Sequence, residues 1–386
     1  MGDQRDILKL VYRLFSSDIG TMSGIDPTGS KLSSAEPLTI YDLSGAKLFL
    51  DYELLDSADN YFGFLRSSAK DSELPLIDTI CIGPRPFDPN TAIQRAVASA
   101  VQRRPGTQVV GVQNFVCYGY PRVGVLVSYQ FQGKILNSVF DASIGAFIRE
   151  WEGVFTPEAG EADEEGEPFY SYLSRIPEAG DPAGDVAKQW AFYTDLQARD
   201  NQGIEGGMAV NAIRVVESIA NVRVAESGTL LPVSIEGQKT PVFCAVAAAQ
   251  MMLKYLGIEE SQDNIAAVFH TSASGTTNDD FLTGFGSLTG GKWKASINQG
   301  PTFESTAYAL GGMVPVKSGI PQHARLIRGF KEYIFLKNDG TVAHRDRFFI
   351  VDDPWPVNSG QIVLENCAKS VPDFYRNIIV ATSVVA

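Results

Sequence analysis

The chain has 386 residues, 44% of them apolar and 20% charged, and a formal net charge of −13. That length suggests two cores, and the composition is that of an ordinary globular chain. The acidic balance excludes nucleic acid as a partner, because phosphate contacts need basic patches, and it equally disfavours adhesion to anionic membranes.

No run approaches 18 uninterrupted apolar residues, so no transmembrane helix is expected. The N-terminus has no basic stretch followed by a long apolar core, and so does not read as a secretory signal. Cys81, Cys117, Cys244 and Cys367 are scattered, with neither a CxxC pair nor a His-paired metal spacing. These features point to a cytoplasmic, reducing setting in which the thiols stay free.

In chain order, Ile7, Leu10, Val11 and Leu14 fall at helical spacing and predict a short helix over 3–16. Residues 17–37, rich in Ser, Gly and Pro, read as loop. Two strands at 38–43 and 46–52 form a hairpin around Ser44–Gly45, and another strand is expected within 74–83. Residues 90–104 predict an amphipathic helix with Ile93, Ala96, Val97, Ala100 and Val101 on its buried face, stopped by Pro105–Gly106. Three strands follow, at 107–119, 122–134 and 135–145. In the second, Val123, Val125, Val127, Tyr129 and Phe131 alternate with period two, and Gln132–Gly133 makes the turn that ends it.

Residues 156–167 carry six acidic side chains and no base. Such a run reads as a solvated loop, and it lacks the EF-hand ligand spacing. A helix is expected over 183–200. Within 203–230 a short helix or strand leads to a boundary between residues 1–220 and 221–386.

The second part opens on residues 238–256. Cys244 heads a proline-free run of small and apolar residues that ends at Gly257, a strong helix former with a C-cap. A thiol at a helix N-terminus meets unpaired N–H groups and the positive end of the dipole, which favour its thiolate. Six residues upstream, the amide of Gln238 can donate to a developing oxyanion. A second helix is expected over 261–270, with Ser261 as its N-cap and His270 at its C-terminal end. Residues 272–291, rich in Gly, Ser and Thr, read as a loop flanking a cleft and match no phosphate-binding pattern. A helix then leads into a strand over 303–319. Strands at 324–336 and 347–355 pair through a hairpin at Asn338–Asp339–Gly340. His323 opens the first of these strands and Asp353–Pro354 closes the second. His344 falls in the intervening turn and is not favoured as a base.

Gln, five residues, then Cys at a helix head resembles papain-like cysteine peptidases, most closely the bacterial branch that includes the bacteriocin-leader-processing peptidases. The resemblance spans roughly residues 230–386. It implies Cys244 as nucleophile, His323 as base, Asp353 as the carboxylate orienting the base, and Gln238 lining the oxyanion hole. Papain itself follows the Cys with Trp; here Ala245 stands there, as that branch allows. Residues 88–150 resemble a PepSY or cystatin-like module, carried by the helix from Thr91, Pro105–Gly106, Tyr129 to Gly133, and the run Phe140 to Gly145.

The expected fold is α+β: a papain-like C-terminal domain of helices and antiparallel sheet, preceded by a domain with a helix on an antiparallel meander. The expected function is cleavage of a protein or peptide substrate through a thioester, without metal or organic cofactor. The N-terminal part is either a pro-region removed by self-processing or a substrate-recruiting domain. Two alternatives stand beside this: a cysteine-dependent acyltransferase or amidase with the same triad, and a catalytically silent binding module.

Overall fold

The computed structural model describes residues 4–24, 26, 29–69, 75–111, 113–119, 122–155, 182–199, 217, 221–320, 323–367 and 377–384. The acidic run 156–167 and most of 200–220 lie outside them. Helix α1 (Gln4–Ser23) is longer than expected. Residues 17–23 continue it because Ile19 and Met22 extend the buried stripe of Leu8, Val11 and Phe15. Burial there outweighs the weak helix propensity of Ser and Gly.

Strands β1 (Lys31–Leu32), β2 (Leu38–Tyr41), β3 (Lys47–Leu55), β4 (Tyr61–Ser68) and β5 (Ile77–Ile82) follow. The β2–β3 hairpin forms around Ser44–Gly45 as expected. Asp42 accepts from the Ser44 and Ala46 N–H groups, and Gly45 supplies φ +96°. Strand β4 was not anticipated; Phe62, Phe64 and Leu65 bury along it.

Helix α2 (Pro89–Arg103) is capped by Asp88, whose carboxylate accepts from Thr91 N–H at 2.8 Å, a cap worth about 1 kcal/mol. Its buried face is the expected one except at Val101: Ala96 and Ala100 are buried, and Ile93 and Val97 are half-buried against the same core. Ala92, Ala96 and Ala100 face inward, and Val101 is 42% exposed. The alanines let the helix lie close on the strands beneath it, with Ile93 and Val97 packed along the edge of the contact. Those strands are β6 (Gln108–Val109), β7 (Asn114–Gly119), β8 (Arg122–Phe131), β9 (Lys134–Asp141) and β10 (Phe147–Glu152). The helix on an antiparallel meander is the arrangement anticipated for this region. The alternating face of β8 is buried, and so is Leu126 opposite, because Val116, Tyr118 and Val139 close a second small cluster.

Helix α3 (Pro182–Arg199) and strand β11 (Val222–Leu230) lead to α4 (Cys244–Tyr255), α5 (Gln262–Val268) and α6 (Asn278–Leu288). The loop expected over 272–291 is thus largely helical. Thr277 caps α6, and Phe281 and Phe285 bury on its inner face, which compensates for three weak helix formers at Thr283, Gly284 and Gly286. Strand β12 (Trp293–Gln299), helix α7 (Phe303–Gly311), and strands β13 (Val316–Ile320), β14 (His323–Lys337), β15 (Val342–Asp353), β16 (Gln361–Asn366) and β17 (Asn377–Ser383) complete the chain.

The fold is α+β and dominated by one antiparallel sheet. Its strands run β12–β17–β13–β14–β15–β16–β5–β4–β3–β2–β7–β8–β9–β10, and among the described residues only the β2–β7 contact is parallel. Strand β11 pairs along the far half of β14. The β5–β16 pairing, with Cys81 opposite Val363, joins strands from either side of residue 221. Helices α1 and α3 lie over this seam, packing Phe15 and Tyr193 against Leu54, Ile80, Phe348 and Leu364. Each such buried side chain contributes about 1.5–3 kcal/mol. Among the described residues no helix is long and apolar enough to cross a membrane.

Candidate active site

Helix α4 starts where Pro241 no longer obstructs it, and its alanines pack on β13 and β14. Its N-cap is Phe243, which offers no side-chain acceptor, so no cap occupies the first-turn N–H groups. Cys244, the first residue of the helix, is half-buried. Burial pushes its thiol up, but the hydrogen bond and charge of His323 outweigh that, helped by the Ala324 N–H and the Arg122 guanidinium. The thiol ends below its ordinary value.

His323 opens β14 opposite Ile320 and is buried. Asp353 ends β15, the antiparallel neighbour, so the start of one strand lies beside the end of the other. Asp353 Oδ1 lies 2.7 Å from His323 Nε2. The other ring nitrogen, Nδ1, has no hydrogen-bond partner among the described residues and is left for the Cys244 thiol, with which the ring interacts electrostatically. Burial pushes the imidazole down, but Asp353 and Cys244 together raise it above the ordinary value. Asp353 is pushed up by burial and pulled further down by His323 and Arg325, ending low. The three shifts favour one state: thiolate, imidazolium, carboxylate.

The carboxylate is itself fixed. Its Oδ1 also accepts from the Trp355 N–H at 2.9 Å, and Arg325 Nη1 lies 3.9 Å from Oδ2. Arg325 is buried and held by Glu365 at 2.6 Å. The adjacent Asp352 faces away toward Arg328 at 3.2 Å, and burial raises it to about 7.

Gln238 is fully buried in the loop before α4. Its backbone N–H donates to Pro354 O at 2.9 Å and its carbonyl accepts from Asn358 N–H at 2.8 Å, which ties it to the turn that follows Asp353. One side-chain N–H donates to Thr240 O at 2.7 Å.

The expectation that His344 lies in a turn is corrected: it sits on β15, opposite Phe335, and is buried. It is bonded to Asp346 at 2.9 Å, stacked on Phe192 and surrounded by α3 residues, apart from Cys244. The β14–β15 ladder already begins with Leu336 opposite Val342, so the hairpin turn is shorter than expected and His344 falls within the paired strand. His270 follows α5 at φ +48°, with Asp280 3.6 Å away.

Two neighbours of the thiol escaped sequence reasoning. Arg122 comes from β8, its guanidinium 5.4 Å from the Trp355 ring. Lys317, 4% exposed on β13, donates to Asn278 at 3.0 Å and Asn377 at 3.5 Å; burial lowers it to about 8, and the Cys244 charge raises it in part. Neither carries a motif, and each reaches the site only through sheet pairing. Cys81 and Cys117 are pushed up by burial, to about 12 and about 11. Among the described residues no group of three or more His, Cys, Asp or Glu is placed to hold a metal ion.

Among solved structures, the chain is similar to a double glycine motif protease from an AMS/PCAT transporter, determined in complex with the leader peptide. The identity is 11%, covering 40% of this chain and 94% of that one, with a TM-score of 0.29. It is also similar to the peptidase domain of Streptococcus ComA, a bi-functional ABC transporter involved in a quorum sensing pathway, at 14% identity. That match covers 39% and 98% of the two chains, with a TM-score of 0.30. No curated protein matches significantly. Residues 230–378, from the end of β11 into β17, match the family described as Peptidase_C39 like.

Proposed function

We propose that this protein is a cysteine peptidase with Cys244 as nucleophile, His323 as general base and acid, and Asp353 as the carboxylate that orients His323. The observation that carries this reading is the lowered Cys244 thiol beside an imidazole whose far nitrogen is bonded to Asp353 at 2.7 Å. The peptidase-like family match over the same stretch agrees with it.

The Cys244 thiolate attacks a peptide carbonyl, forming a C–S bond and an oxyanion. The Cys244 N–H at the uncapped helix head receives that oxygen, together with the second amide hydrogen of Gln238. The His323 imidazolium protonates the leaving amine as the C–N bond breaks, leaving a thioester. Water, deprotonated by the now neutral imidazole, attacks the thioester. The acid departs and the thiolate–imidazolium pair re-forms. Asp353 stays ionised and holds the ring throughout.

In this reading residues 221–386 hold the catalytic side chains, and the PepSY-like region 88–150 recruits or covers substrate. A cut in the acidic 156–167 run would nick the chain without releasing residues 1–155. The β5–β16 ladder and the bonds from Gln361 to Pro84 O and Asn366 to Ile77 O would still hold them.

The test is digestion of a mixed peptide library, read by mass spectrometry, with iodoacetamide labelling in parallel. The wild type cuts the library and Cys244→Ala does not, and Cys244 alkylates far faster than Cys81 or Cys117. Full activity in Cys244→Ala, or an inert Cys244, overturns the assignment.

A further inference from the structure

A cavity of about 100 Å³ lies between the face of β3–β5, the start of β8 and the corner where β15 turns into β16. Asp353 and Trp355 form one wall; neither Cys244 nor His323 lines it. The opposite wall comes from the N-terminal half: Leu38, Phe87, Val123 and Arg122. The void therefore exists only because the two halves share a sheet.

Several charged groups border the cavity, but they are engaged with one another. Arg66 grips Asp51 through two bonds of 2.7 and 2.8 Å, Arg85 meets Glu53 at 2.7 Å, and Arg325 is held by Glu365. Asp353 is committed to His323 and the Trp355 N–H. Arg122 lies over the Trp355 ring. With these charged groups engaged, the apolar faces left for an occupant are those of Phe87, Phe64, Val123, Val363 and Trp355. Such a space favours an apolar guest, since a polar one would give up its water without new partners.

The position specifies which part of a peptide arrives there. The His323 ring stands between Cys244 and Asp353, and it is the group that protonates the leaving amine. Chain beyond the scissile bond then leaves on the His323 side, the side on which Asp353 and Trp355 lie. An extended peptide advances roughly 3.3–3.6 Å per residue, so a pocket on that side is met by a residue close to the bond. The size limits that residue. An apolar cavity of ~150 Å³ accommodates benzene, so the smaller space here suits one branched aliphatic side chain and not Phe or Trp.

We propose that this cavity is a specificity pocket for a single Val, Leu or Ile side chain of the peptide substrate, on the leaving-amine side of the scissile bond. The assignment rests on the peptidase reading above and gives the N-terminal half a working role in substrate selection.

The test uses the full-length protein and a library of decapeptides, with cut sites read by mass spectrometry. The wild type should enrich Val, Leu and Ile about tenfold over Ala at one of the two positions after the cut. Val123→Phe fills the cavity and should abolish that ratio within the same digest. Phe87→Ala enlarges it from a loop position and should move the preference to Phe and Met. Circular dichroism and the iodoacetamide rate of Cys244 report whether each variant keeps its fold and its thiol. Cys244-dependent cutting with no aliphatic preference, or with a preference that neither variant changes, overturns the pocket and leaves the peptidase reading intact. Absence of any Cys244-dependent cutting overturns the peptidase reading, and the pocket with it.

Discussion

His323 and Asp353 stand thirty residues apart in sequence and 2.7 Å apart through Nε2 and Oδ1, and that same oxygen takes the Trp355 N–H at 2.9 Å. The ring therefore leans on a carboxylate that cannot rotate without breaking a backbone hydrogen bond. Asp353→Asn removes the charge that raises His323 and keeps the shape. The expected loss in kcat is on the order of 10³–10⁴-fold, by analogy with removing the carboxylate's charge from a nucleophile–His–Asp triad. The pH–rate profile adds a readout that a structural role would not move. In the wild type, activity rises as pH climbs through the lowered Cys244 value and falls as pH passes the raised His323 value. The alkaline limb should shift to lower pH in Asp353→Asn; an unshifted limb would falsify the proposed role of Asp353.

Arg122 contributes charge to the thiol from the N-terminal half. Arg122→Gln should raise the pH midpoint of Cys244 alkylation by iodoacetamide, because the guanidinium favours the thiolate. The fold should survive, because the β7–β8 ladder does not depend on this side chain. Equal midpoints in the two proteins would show that the sheet does not bring this guanidinium within electrostatic range of the sulfur.

Gly237 sits where a Cβ would come within 2.2 Å of the Ser359 N and 2.5 Å of the Asn358 carbonyl carbon. These are backbone atoms of the segment that anchors Gln238, so a side chain cannot be relieved by a rotamer change. Gly237→Ala should cost about 1–3 kcal/mol of stability through overpacking, seen in urea denaturation. It should also lower kcat by displacing the Gln238 amide. Gln238→Ala, by contrast, should lower kcat with KM little changed, a loss of about 3–4 kcal/mol at the transition state. A Gln238→Ala enzyme that loses only KM would remove Gln238 from the oxyanion site.

Lys317 has no carboxylate within 4 Å among the described residues, and burial lowers it to about 8. Its unfolded value is about 10.4, so the unfolded chain holds more protons between those limits. Its contribution to stability therefore rises with pH across about 8 to 10, by roughly 1.4 kcal/mol per pH unit. Lys317→Met should lack that rise. Urea midpoints of both proteins at pH 7 and 9.5 give the difference; parallel curves would mean that Lys317 is not desolvated in the folded state.

Much of the site was legible because it was written in short local patterns. Cys244 before an alanine-rich run, Gln238 six residues earlier, His323 heading one apolar run and Asp353 closing the next are features of adjacent residues. The α+β class, the hairpins at Gly45 and Gly340, and the helix on the meander came from the same short-range signals. Where burial decides, the local signal failed. Residues 278–288 became a helix despite their glycines because Phe281 and Phe285 had a core to enter. Strand β4 escaped notice because its partners stand on both sides in the sheet and not in its own pattern.

By itself the sequence determined which segments prefer helix or strand and singled out the groups proposed to carry chemistry, since propensity, capping and turn geometry act over a few residues. Only the tertiary structure decided that β5 pairs with β16, that Arg122 and Lys317 stand near the sulfur, and that Asp353 faces His323 while Asp352 faces Arg328. Strand pairing between distant segments is set by which faces can be buried together, and a choice of one residue in register sends neighbouring side chains to opposite faces.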